Sequence, residues 1–170
     1  GGSAEKRARA VLDVVTAVRK TVGEAFPVLI KMNCEDFLEG GLTLQDALRT
    51  GTLLQDAGID AIELSGGTLV SGKLSPSRAG IKSEDREAYF KDAAKAFKKT
   101  LKIPIILVGG LRRVAHMEQI LEDGHADFIS MCRPFIREPS LVKKIKAGKT
   151  DIASCASCNK CFAALGKGMP

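Results

Sequence analysis

Cys155, Cys158 and Cys161 form a Cys-x-x-Cys-x-x-Cys run near the end of the chain. Thiolates at this spacing can converge on one metal ion or on one face of an iron–sulfur cluster. Five cysteines are present, and Cys34 and Cys132 stand apart from the run. An odd count, a bunched trio and an opening stretch unlike a signal peptide argue for a reducing compartment. They favour metal or cluster chemistry over disulfides. A second set of candidates follows apolar runs: Ser65-Gly66-Gly67, Gly109-Gly110 and Cys132-Arg133. Glycine turns let a ligand approach backbone N–H groups, and a guanidinium adds a planar fork of donors, which together suit a phosphate. Lys31 interrupts an apolar stretch and needs a partner, a ligand or an escape to solvent.

The elements that must position these residues alternate regularly. Residues 103–108, Ile-Pro-Ile-Ile-Leu-Val, read as a strand buried on both faces, with Pro104 at its start. Gly109-Gly110 then turns into a helix over 111–121, giving a natural anion site at the helix start. Earlier, a helix over 4–20 with Ser3 as N-cap precedes a buried strand over 26–32. Thr43 caps a helix through Ala57, with Asp46 at the capping-box position and Gly58 as its stop. A strand over 60–64 leads into a long polar loop over 68–82. Ser83 caps a helix whose inner face is Tyr89, Phe90, Ala93, Ala94 and Phe97. A last strand over 126–132 precedes a short basic helix over 139–147.

Four helix-then-strand units require helical crossovers and hence a parallel α/β sheet. Two architectures fit: an open doubly wound sheet, or half of a (β/α)8 barrel whose full length is about 250 residues. The candidate turns share the C-terminal edge of the sheet, where barrel sites lie. Numbering the last two strands seven and eight makes Gly109-Gly110 and Arg133 a phosphate cradle. The 170 residues, 45% apolar and 27% charged, suit a globular unit with a real core. No apolar run is long enough to span a membrane. The charge of +6 is interleaved, and its one basic cluster, Lys143, Lys144, Lys146 and Lys149, reads as a solvated helix face. Neither nucleic acid nor membrane is expected as a partner.

Two stretches, Ile105-Ile106-Leu107-Val108-Gly109-Gly110 and Ala126 through Ile136, resemble the last two strands of the old yellow enzyme family of NADH:flavin oxidoreductases. Phe26 through Asn33 and Ile62-Glu63-Leu64-Ser65-Gly66-Gly67 resemble its fifth and sixth strands, and Gly1-Gly2-Ser3 a segment before its fourth helix. The resemblance implies the C-terminal half of an FMN-binding barrel over residues 1–150, followed by a cysteine-rich tail over 151–170. Lys31 would sit by the pyrimidine side of the flavin, where the family often has arginine. Gly109, Gly110, Cys132 and Arg133 would bind the FMN phosphate, although position 132 is commonly glycine. Ser65, Gly66 and Gly67 would line the substrate or flavin cavity.

The cysteine run resembles the four-iron cluster segment of a subset that includes trimethylamine dehydrogenase and dienoyl-CoA reductase. The fourth thiolate is absent here, and zinc is the rival ligand. The family's first four strands, its substrate-holding histidines and its proton-donor tyrosine are also missing. Tyr89, on a helix, is no substitute, and His116 and His125 read as structural. No catalytic residue is therefore assigned. The expected activity is that of a cytoplasmic FMN-dependent oxidoreductase passing hydride from NAD(P)H to an activated alkene or related small-molecule acceptor, inactive as an isolated half. The open sheet edges predict a homo-oligomer or pairing with the missing N-terminal half. The alternatives are another phosphate-binding barrel enzyme, using Lys31 and Glu63, or a non-catalytic half-barrel assembly unit.

Overall fold

The computed structural model describes residues 2–165. Gly1 of the opening segment and the last five residues of the tail expected over 151–170 lie outside them. The helices are α1 (Ala4–Val22), α2 (Leu44–Asp56), α3 (Lys91–Thr100), α4 (Val114–Glu122), α5 (Arg133–Arg137), α6 (Leu141–Lys146) and α7 (Lys160–Leu165). The strands are β1 (Leu29–Asn33), β2 (Ala61–Ser65), β3 (Ile105–Leu107) and β4 (Phe128–Ile129). They form one parallel sheet in the order β1-β2-β3-β4. Sequential order with right-handed crossovers puts the helices on one side of the sheet. That is the wall of a barrel, and it excludes the doubly wound alternative.

Ser3 and Thr43 cap α1 and α2 as their spacing predicts, accepting from the Lys6 and Asp46 amides. The core lies between the helices and one sheet face. Ile62, Leu64, Ile105 and Leu107 are fully buried there, with Leu54 and Phe97 from α2 and α3. Arg19, buried on α1, locks this layer. Its guanidinium donates to the carbonyls of Gly23, Phe26 and Gly58 and pairs with Asp60 at 2.6 Å. The Val28 amide and then Arg19 hold the Asp60 carboxyl below its usual range.

Two expectations are corrected. The strands are not buried on both faces: Leu29 and Phe128 are more than half exposed on the side without helices. Leu29, Ile106 and Phe128 on the open face are themselves apolar, so their composition does not separate one covered face from two. The helix expected from Ser83 starts at Lys91 instead. Glu84–Arg86 is a single 3-10 turn without a side-chain cap, and Ala88 takes a φ of 51°, which no α-helix accommodates.

Candidate flavin-phosphate site

Parallel register sets Lys31 on β1 directly beside Glu63 on β2. Lys31 Nζ donates to Glu63 Oε1 at 2.6 Å, and Ser130 Oγ donates to the same oxygen at 3.0 Å. This polar ladder crosses the open face, so Lys31 finds a partner within the chain.

At the C-terminal edge of the sheet, a pocket of about 200 Å³ brings together Lys31, Ser65, Gly110, Cys132 and Arg133. These come from the ends of four different strands. The N–H groups of Gly109, Gly110, Cys132 and Arg133 donate to no acceptor among the described residues. Arg133 Nη1 donates to the Arg78 carbonyl at 2.9 Å and to Asn159 Oδ1 at 2.6 Å. Its Nε and Nη2 have no acceptor among the described residues. Unpaired N–H groups from two loops and half a guanidinium make a donor set that fits a phosphate group.

Not every expected residue faces this pocket. Gly66 and Gly67 are buried in packing. A Cβ on Gly66 would lie 2.6 Å from Phe90, and Gly67, at a φ of 77°, leaves no room beside the Leu74 carbonyl. Gly109 is buried too, and its carbonyl accepts from the Tyr89 amide. The anion site expected at the start of the following helix is filled by the protein itself. The buried Glu87 carboxylate accepts from the amides of Arg112 and Arg113 and pairs with the Arg113 guanidinium.

Sequence reasoning missed several participants. Tyr89 is not on a helix; its ring packs on Gly110 and its hydroxyl donates to the Pro76 carbonyl at 2.9 Å. Arg78 lies 4.4 Å from the centre of that ring. Ser130, Ser157 and Phe162 also line the pocket. Nothing in local periodicity marks them, because they meet only where distant segments converge on the sheet edge.

That tail is docked. Val114 N donates to the Asp151 carbonyl, and Ala153 N to the Arg112 carbonyl. The Arg112 side chain donates to the carbonyls of Ile81 and Ala153. Cys155, Cys158 and Cys161 line a second pocket of about 430 Å³. Cys155 is buried and Cys158 exposed, and Ser157 and Asn159 carry left-handed φ values of 50° and 58°. Among the described residues, no three Cys, His, Asp or Glu side chains gather closely enough to hold a metal ion. As they stand, the three thiols are not drawn together into a closed ligand set. No helix among the described residues is long and apolar enough to cross a membrane.

Comparison with known proteins agrees with this architecture. The chain is 34% identical over 162 residues to an NADH oxidase from Thermoanaerobacter brockii, covering 94% of this chain and 24% of that protein. It is 32% identical over 189 residues to a 4,4'-dithiodibutanoate disulfide reductase from Rhodococcus erythropolis, covering 95% and 47%. A solved 2-naphthoyl-CoA reductase in complex with 2-naphthoyl-CoA superposes with a TM-score of 0.81 at 31% identity, over 94% of this chain and 24% of that one. The old yellow enzyme homologue from Zymomonas mobilis shares the fold at 20% identity, with a TM-score of 0.64, over 88% and 39%. The chain thus spans about a quarter to a half of the length of the relatives it matches. The profile of the NADH:flavin oxidoreductase / NADH oxidase family matches residues 1–151, and the chain belongs to that family.

Proposed function

We propose that this chain supplies the phosphate end of the flavin site in an FMN-dependent NAD(P)H oxidoreductase that reduces an activated alkene or a related acceptor. The carrying observation is the set of unpaired N–H groups at Gly110, Cys132 and Arg133, which line one pocket beside a half-free guanidinium. The cofactor supplies the hydride chemistry. Arg133 and the amides of Gly110, Cys132 and Arg133 bind and orient its phosphate, with Gly109 shaping the turn behind them. Lys31 places an ammonium on the open face, where positive charge favours a reduced flavin ring, and Glu63 and Ser130 hold that ammonium in place. Ser65 and Gly110 shape the pocket wall.

The barrel is completed by strands from outside this chain, either the complementary half or a second copy. The open face and the edges of β1 and β4, which pair with no further strand among the described residues, support this reading. The test is reconstitution with FMN, read by flavin absorbance on the eluted protein and by its elution volume. Co-elution of flavin with the wild type and its loss in Arg133→Ala support the reading; equal retention by both contradicts it. The cysteine run enters as a ligand set on its spacing and shared pocket. After exposure of the reduced chain to zinc, or to iron with sulfide, protection of all three thiols from alkylation supports that role. Unchanged reactivity contradicts it.

A further inference from the structure

We propose that Asn159 is a positioning residue for the Arg133 guanidinium, so that the cysteine segment forms one wall of the phosphate site. The inference rests on the phosphate reading above and assigns a task to a residue lying between the second and third cysteines.

Arg133 begins a helix of five residues, and its long side chain has many rotamers to lose on binding an anion. Two acceptors restrain it, and both engage Nη1: the Arg78 carbonyl and Asn159 Oδ1. With both Nη1 protons used, the plane of the fork is fixed while Nε and Nη2 stay available. Asn159 is in turn clamped. Its Nδ2 donates to the Ser77 carbonyl at 2.7 Å, and its Oδ1 accepts from Ser77 Oγ at 3.1 Å. The φ of 58° that aims this side chain is one asparagine tolerates better than most residues. The backbone around it is pinned by the Gly80 amide, which donates to the Ser157 carbonyl at 2.9 Å. A guanidinium already held in its binding plane loses less freedom when phosphate arrives. The amide of Asn159 therefore strengthens phosphate binding without touching the phosphate.

The test is a fluorescence titration of the full chain with FMN and with riboflavin, which lacks the phosphate. Asn159→Gly removes the amide yet suits the left-handed backbone. It is expected to weaken FMN binding about tenfold, the scale of a hydrogen bond to a charged group. Riboflavin binding stays within about twofold, since the isoalloxazine contacts are untouched. In an Arg133→Ala background the same substitution should have no further effect on FMN, because it acts through that guanidinium. The inference is overturned if Asn159→Gly leaves the FMN-to-riboflavin preference intact while Arg133→Ala abolishes it. It is equally overturned if the loss persists undiminished in the Arg133→Ala background. A wild type that does not prefer FMN to riboflavin sinks the phosphate reading, and this inference with it. Should Asn159→Gly unfold, Ser77→Ala loosens the same clamp. A smaller fall in the preference is then expected, and an unchanged preference is the contrary result.

Discussion

On the helix side of the sheet, Ile62, Leu64, Ile105 and Leu107 are sealed from water; on the other side, Leu29, Lys31 and Phe128 remain more than half exposed. Adjacent strand residues separate the two environments, because side chains alternate across the pleat. The covered face holds the chain together through burial. The open face carries the charged ladder of Lys31, Glu63 and Ser130, with exposed Leu29 and Phe128 on its two outer strands. A barrel wall explains the difference: the outer face is finished by the chain's own helices, whereas the inner face is left open by the described residues.

The comparison predicts unequal costs. Phe97→Ala, which empties a fully buried site against α2, should destabilise by about 3–5 kcal/mol in urea unfolding. Leu29→Ala, on the open face, should stay within about 0.5 kcal/mol. Equal losses would show the open face to be covered in solution. The cysteines divide similarly. Burial lifts the Cys34 thiol from 9.0 to about 11, about a hundredfold less thiolate at neutral pH. Alkylation of the folded chain should therefore modify exposed Cys132 and Cys158 well before Cys34; simultaneous modification would contradict the packing around Gly66.

A smaller effect concerns the tail. Lys144, then the Ser154 amide and hydroxyl, hold the Glu138 carboxyl at about 2, below its ordinary 4.5. A carboxylate depressed in the native state stabilises above its ordinary pKa, and that contribution fades as pH falls toward the native value. The Ser154 amide resonance should titrate with a midpoint near 2 and not near 4.5. Least of all, Ser130→Ala should cost only a few tenths of a kcal/mol in stability, since its partner Glu63 keeps Lys31. A loss above about 1 kcal/mol would show the ladder to be buried by a partner.

Much of the wall was legible. Apolar runs, helix caps and glycine stops place β1 to β4 and α1 to α2 because these signals are local. The site was legible where a residue follows its strand directly, as Gly110 and Arg133 do. It was illegible where chain segments meet from afar. Glu87 fills the helix start, Tyr89 packs under Gly110, and Asn159 holds Arg133; each contact joins residues more than twenty positions apart. The Ala88 backbone twist that ends the expected helix also has no compositional mark, since alanine ordinarily favours a helix.

The proposed flavin phosphate sits at this sheet edge, against Gly110, Cys132 and Arg133. Phosphorus NMR of FMN mixed with the chain observes that group alone. A shifted, broadened resonance that returns to its free position in Arg133→Ala is expected. A resonance that stays sharp and free-like with excess wild-type chain would contradict it.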